Sequence, residues 1–453
     1  MKKLMAAIWV ALVTVLVFAE DLSPSPEAVR FTFKIQGSIT VGTDTLPTGP
    51  DGAPEPWTRL GIQPDISIGK FGFGLDLTLR FQMYAPPSWE DIRIYGEDWI
   101  PENGRTFLDV YLPKITYVRY GVRGEDPFHV KLGSIRNMTL GTGFILGDYS
   151  NMKLLPEQRF VGLDVGLDGS LLEFPWIGGE LIMGNLARMD VVGTRLFVRP
   201  LARSTIRSLA NMQIGGTLVV DSRPYLHGMA PFSYPESPVG VFGFDVIVPI
   251  IGGKVFPLEA FADIAFQPDG RAGEMLGLAG RVFKIFIYSA QLRFLQSGFI
   301  PNYFDSNYDL YRQERYDLIR EGGTGLNTAG WRASIGVDII SDFLTFLITA
   351  EGPLSLAPSN PDPNPARYPH AIAAFRFGEG VFPVYLEASW EKYYIGRTND
   401  FLPDLVEPED SVVGLSVNYR NGPAVLTFQY DGRWDPKTLD FNNRTSILST
   451  FKF

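Results

Sequence analysis

Between Phe71 and Met83 the chain alternates without a fault. Phe71, Phe73, Leu75, Leu77, Leu79, Phe81 and Met83 share one parity, and Gly72, Gly74, Asp76, Thr78, Arg80 and Gln82 share the other. Successive side chains of a strand point to opposite faces, so this segment has one wholly apolar face and one that is polar or small. Strands of soluble domains run to about five or six residues, whereas a tilted strand that crosses a bilayer needs about nine to eleven. The length of this window selects a membrane-crossing strand over the edge of a sandwich.

The same pattern recurs. Phe31, Phe33, Ile35, Ile39 and Val41 oppose Thr32, Lys34, Gln36, Ser38 and Thr40, and Val161 to Leu167 oppose Gly162 to Asp168. Near the C-terminus Val413, Leu415, Val417 and Tyr419 oppose Gly414, Ser416, Asn418 and Arg420, and Ala424 to Tyr430 oppose Val425 to Asp431. From residue 330 onward short turns (Ser341-Asp342, Glu379-Gly380, Asn421-Gly422-Pro423) alternate with long loops (352–368, 396–410, 432–444). Carried backward, this alternation places twenty strands, among them 58–67, 106–120, 128–136, 171–184, the weakly patterned 190–199, and 445–453. Sixteen and eighteen also fit, because 106–120 is interrupted by Pro113 and 128–136 is short.

The N-terminus carries Lys2 and Lys3, an uncharged apolar run from Leu4 to Ala19, then Glu20 and Asp21, the composition of a secretory signal peptide cleaved after Ala19. The expected division is a signal peptide at 1–19, a short periplasmic lead-in at 20–30 and one barrel domain at 31–453. The apolar run is short for a spanning helix, and polar residues interrupt every later apolar segment. An exported chain without such a helix can still reside in a membrane if its backbone is paired in a closed barrel. The 33 Phe, 19 Tyr and 8 Trp suit that setting, and 47 Gly with 34 Pro supply turns. Tyr84, Trp89, Tyr117, Tyr120, Trp331, Tyr393, Tyr394, Tyr419, Tyr430 and Trp434 fall near strand ends, where an interfacial aromatic girdle belongs. Cysteine is absent, so neither disulfides nor thiol chemistry contribute. The formal charge of −10 argues against a nucleic-acid partner.

The closing segment Ser446 to Phe453 sets Ile447, Phe451 and Phe453 against Thr450 and Lys452 and ends on an aromatic residue. It resembles the last strand of bacterial outer-membrane β-barrels of the porin-like type. The resemblance implies an all-β, transmembrane, antiparallel up-and-down barrel with short periplasmic turns and long extracellular loops. It also implies an outer-membrane location, contact with outer-membrane lipid, and recognition of Phe453 by the barrel-assembly machinery. Trimers are common among porins, and nothing in the sequence marks a trimer face.

Charges within the strand windows keep to one parity, as expected if the other faces lipid, where Arg or Lys at the midplane costs roughly 2 to 4 kcal/mol. The inward set is Lys34, Asp76, Arg80, Asp164, Arg195, Asp245, Glu259, Asp263, Arg281, Arg293, Arg332, Asp338, Arg376, Glu387, Arg420 and Asp431. These are the candidate pore-lining residues, and their number predicts a wet interior unless they are tightly paired. The longest irregular stretch, 298–329, holds Tyr308, Asp309, Tyr311, Arg312, Arg315 and Tyr316, a candidate constriction loop whose mixed aromatic and charged side chains would suit a polar solute such as a sugar. The same stretch contains Asp305, Asn307 and Asp309 at the spacing of a calcium loop, but Leu310 and Tyr316 stand where Gly and Glu are required, so no metal site is expected. His129, His227 and His370 show no catalytic spacing, even with Ser222 and Ser233 near His227, and neither an enzyme nor a cofactor is expected. The reading is a porin-like channel for passive diffusion of small hydrophilic solutes. The alternative is a structural or adhesive barrel with a blocked lumen.

Overall fold

A computed structural model describes residues 33–48, 53–83, 92–101, 106–154, 158–226, 228, 230–253, 255–322, 327–339, 343–355, 364–397, 401–435 and 439–453. The segments expected to be a signal peptide (1–19) and a lead-in (20–30), and His227, lie outside them. The strand segments are numbered β1 to β22 along the chain, and all belong to one antiparallel sheet.

The sheet closes on itself. β1 (Phe33–Pro47) pairs with β2 (Pro54–Ile68) on one side and with β22 (Asp440–Lys452) on the other, in register from Ser38 opposite Lys452 to Asp44 opposite Ser446. Gly37 and Phe453 complete the seam by exchanging both backbone hydrogen bonds at 3.0 Å. Closure removes the unpaired strand edge that hydrocarbon could not satisfy.

Two of the staves are broken in two. β3 (Phe71–Leu75) and β4 (Leu77–Met83) both pair with β2, and they are met on the far side by β6 (Ile115–Tyr120) and β5 (Ile92–Ile94). With each broken stave counted once, the described barrel has twenty strands, the number reached from loop parity. The weakly patterned strand is there as β10 (Val191–Val198), while the strand expected at 171–184 starts only at Ile177 of β9 (Ile177–Met183).

The expected strand 106–120 is corrected. Thr106 and Asp109 form a capping box that starts a short helix, Phe107–Tyr111, and a 3-10 turn through Pro113 follows before β6 begins. Proline has no N–H to give a ladder, and the capping pair offers the backbone a helical alternative. At the end of the barrel away from the termini, strands outrun their alternation. β22 begins at Asp440 in the polar stretch Asn442, Asn443 and Arg444, because the ladder continues where side chains no longer need to meet lipid.

Facing is decided by neighbouring residues of β10, where Leu196 is 69% exposed and Arg195 only 3%. Tyr117 and Tyr393 leave the expected girdle for the interior, since Tyr117 donates to Asp65 at 2.7 Å and Tyr393 to Asp305 at 3.0 Å. Trp331, Tyr419 and Tyr430 keep the parity of the outward apolar residues. Of the remaining candidates, Tyr84 and Trp89 lie outside the described residues.

A charge tests which face meets lipid. In β20 (Ser411–Asn421), Leu415→Arg is expected to lower unfolding stability in vesicles by roughly 2 to 4 kcal/mol, the cost of a lipid-facing cation near the midplane. Ser416→Arg, on the opposite face, is expected to cost far less, as read by urea titration of tryptophan fluorescence.

Candidate functional site in the barrel lumen

Two long loops meet inside the barrel. One, 134–161, joins β7 (Phe128–Gly133) to β8 (Gly162–Asp168). The other, 296–327, joins β15 (Phe286–Leu295) to β16 (Thr328–Ile339). Backbone bonds lace them together, with Asn302 N–H donating to Phe144 O at 2.8 Å and Gly147 N–H to Phe304 O at 3.2 Å, and Phe144 stacks on Phe299 at 5.6 Å. Phe144, Ile145, Leu146, Phe299, Tyr303, Phe304, Tyr308 and Tyr316 form one buried cluster with Ile182, Val191, Val219, Val241, Ala265, Met275 and Leu295 of the wall. Those wall residues come one each from β9 through β15, so an apolar patch runs across these strands beneath the loops.

The clustered loops are held by polar and ionic contacts, some to the ends of wall strands and some within the loops themselves. Arg312, on the helix Arg312–Glu321, binds Asp221 at both carboxylate oxygens and Asp190 at 2.7 Å, and Tyr308 donates to Asp221 at 2.5 Å. Arg315 binds Asp305 and the Tyr303 carbonyl, and Tyr316 donates to Pro235 O at 2.6 Å. On the other side Asn307 donates to Glu391 at 2.6 Å. His370 sits between Glu351 at 2.9 Å and Glu391 at 3.1 Å and stacks on Tyr393 at 4.2 Å, while Glu351 also takes Arg293 and Arg332 at 2.7 and 2.9 Å.

Five of the six constriction candidates, Tyr308, Asp309, Arg312, Arg315 and Tyr316, are therefore buried in anchoring contacts and present little to a solute. Tyr311 is half-buried against Tyr393. The expectation that this loop displays mixed side chains to the passage is corrected, because their charges are used up in holding the loop down.

The remaining inner wall is polar. Ser334, Thr349, Arg376, Glu387, Ser389, Ser416, Asn418, Thr427, Gln429 and Asp431 share the inward parity from β16 round to β21 (Ala424–Asp435). Between the seam and the loops lies a cavity of about 520 Å³. Asp44, Arg59, Arg80, Asp431 and Arg444 line it from the wall, and Asp98, Lys114, Arg136 and Arg159 from the inserted segments. Arg80 spans Asp44 and Asp98 at 2.9 Å each, Arg159 meets Asp76 at 2.5 Å, and Lys114 lies 4.2 Å over the Trp99 ring.

All the sequence candidates in the strands lie on the buried parity, but they do not converge on one point. Asp164 takes Arg123 at 2.9 Å and His129 at 3.2 Å, Arg195 pairs with Asp245, Asp263 accepts from Thr142 at 2.6 Å, Arg376 lies 3.5 Å from Glu387, and Arg420 lies 3.6 Å from Glu379. Lys34, Glu259, Arg281 and Asp338 carry no ion pair among the described residues. The interior is paired more completely than alternation could reveal.

Sequence reasoning passed over the loop 134–161 and its contacts Tyr149, Asp190, Asp221 and Glu391. The run Met138 to Leu146 carried a signal, since so apolar a stretch in a long loop needs cover. Its glycines are also placed for close approach. At Gly141 φ is +58°, and a Cβ there would lie 2.9 Å from Arg195 Nε and 3.0 Å from Asp245 Oδ2.

No protein-family model matches the chain, and no curated protein matches it. Solved structures with a similar course include OccK2 (OpdF) of Pseudomonas aeruginosa, in complex with glucuronate, at 10% identity and a TM-score of 0.38, covering 93% of this chain and 98% of that one. OccAB2 of Acinetobacter baumannii is similar at 10% identity and 0.36, covering 93% and 98%. Wzi of Escherichia coli, an outer-membrane protein involved in group 1 capsule assembly and a carbohydrate-binding barrel, is similar at 12% identity and 0.34, covering 92% and 84%. The barrel architecture rests on this chain's own closed ladder.

Burial pushes the Asp309 carboxyl up to about 7, against the opposing pull of Arg312 and with the added push of Asp190. A raised folded-state value means a stabilising contribution that is complete below the ordinary aspartate range and is lost as pH rises through about 7. The loop is therefore expected to be held more firmly at pH 5.5 than at pH 8, read as slower proteolysis of 296–327. Asp309→Asn is expected to flatten that difference.

Proposed function

We propose that this chain is a porin-like channel of the bacterial outer membrane that passes small hydrophilic solutes by passive diffusion. The cavity between the seam wall and the inserted loops is the observation that carries the reading, because charged side chains of the wall and of the inserted segments surround it. A barrel of sixteen to eighteen strands already encloses an aqueous lumen, so one of twenty has room for both the packed loops and a passage beside them. Selectivity arises from the charges along that passage. The proposal needs no reacting residue, cofactor or metal.

Within it, the pore lining is assigned to Asp76, Arg80, Arg376, Glu387, Arg420 and Asp431, with Lys34, Glu259, Arg281 and Asp338 nearer the mouth that bears the termini. Residues 1–19 are the export signal, Phe453 is read by the barrel-assembly machinery, and a homotrimer is the assembly to test first. The second reading is a structural or adhesive barrel with a blocked lumen, and the buried cluster that the two loops build inside the barrel favours it.

Planar-bilayer recording separates the two. The channel reading expects discrete conductance steps, and a purified, heat-modifiable barrel that gives none would overturn it. Arg312→Ala removes the cation that Asp190 and Asp221 share and leaves two buried carboxylates unpaired, a change of roughly 3 to 5 kcal/mol. The helix is then expected to detach and the steps to become larger and noisier than in the parent protein.

A further inference from the structure

At the end of the barrel that carries the termini, one sector departs from the rule of short turns. Residues 169–176, 199–212, and 252, 253 and 255–257 lie between β8 and β9, β10 and β11 (Gln213–Asp221), and β12 (Val239–Ile251) and β13 (Leu258–Phe266), so they stand side by side on the rim. They also touch. Arg199 N–H donates to Trp176 O at 2.6 Å, Arg203 lies 4.5 Å over the Trp176 ring, Ser208 Oγ donates to Ile250 O at 2.9 Å, and Phe256 meets Phe283 at 4.7 Å.

The surface they make is both greasy and cationic. Leu172 is 72% exposed, Ile206 58% and Phe283 59%, and Phe174, Ile250 and Phe256 are exposed beside them. Arg203, Arg207 and Lys284 have no carboxylate partner among the described residues; the acids around them are Glu173, Asp168, which Arg199 holds at 2.6 Å, and Glu259 and Asp338 on the inward parity of the adjoining strand ends. Elsewhere on the same rim Lys70 is matched by Asp126 and Arg420 by Glu379, while Lys34 and Lys452, which stand apart from this apolar patch, have no carboxylate partner among the described residues.

An exposed apolar patch of this kind marks an interaction surface. Its apolar residues continue the lipid-facing belt, since Ile250 and Ile251 end β12 and Val198 ends β10. Guanidinium and ammonium groups just beyond such a belt lie at the level of phosphate headgroups, with their stems in the acyl region. Charge complementarity then selects an anionic headgroup. We propose that this sector of the rim binds an anionic phospholipid of the inner leaflet, with Arg203, Arg207 and Lys284 holding its phosphodiester. The assignment rests on the outer-membrane orientation proposed above.

Native mass spectrometry of the folded full chain, released from detergent with added phosphatidylglycerol or phosphatidylcholine of the same acyl length, tests it. Phosphatidylglycerol adducts are expected to exceed phosphatidylcholine adducts several-fold in the parent and to fall to the phosphatidylcholine level in the triple variant Arg203→Gln, Arg207→Gln, Lys284→Gln. Lys70→Gln, which removes a cation elsewhere on the rim, is expected to leave them unchanged. Equal adducts for the two lipids, persistence in the triple variant, or an equal fall in Lys70→Gln would overturn the proposal, as would tighter capture of polyglutamate than of phosphatidylglycerol. Heat-modifiable mobility on gels establishes that each variant is folded. Conductance is recorded on the same preparation, so a silent barrel that still selects phosphatidylglycerol sinks the channel reading and upholds this one.

Discussion

The paired backbone bonds between Gly37 and Phe453 are the constraint from which the rest follows. In hydrocarbon each orphan N–H or C=O costs several kcal/mol, so a sheet in lipid must close. Closure makes every strand a wall with one wet and one greasy side. It also forces polar residues onto one parity for the length of the chain, and that parity is what makes an interior of charges possible at all.

An interior of charges then has two stable forms, pairs that satisfy one another or groups that keep their water. This barrel uses both. From β9 to β15 the wall turns apolar side chains inward to meet two loops, and at the loops Arg195 closes on Asp245 and Arg312 on Asp190 and Asp221, while Glu259 and Arg281, toward the end that bears the termini, carry no ion pair among the described residues. From β16 round to the seam the inward residues are hydroxyls, amides and charges, with Arg376 and Glu387 each about two-fifths exposed. The inserted loops therefore both narrow the lumen and divide it.

The wall was legible in the sequence and its contents were not. Phe71 to Met83 and Val413 to Asp431 declare their faces residue by residue, and the parity of connections recovered β10 where its own pattern was weak. The break at Asp76 was hidden, because two segments in succession against one partner keep the same alternation. The anchors were hidden for a different reason. Arg312 and Asp221 are 91 residues apart, and alternation reports which way a side chain points without reporting what it meets. The loop 296–327 stood out by length and by its tyrosines, yet its role as a bolted filling depends on Phe144, Leu146 and Tyr149, which belong to a loop whose signal was only an apolar run among glycines.

Because the chain contains no cysteine, single cysteines report directly on the divided lumen. In the folded barrel, Ser389→Cys on the polar wall is expected to react quickly with a charged, membrane-impermeant thiol reagent, and Val219→Cys, fully buried beneath the loops, to stay unreacted until the protein is unfolded. Comparable labelling at the two positions would contradict the account.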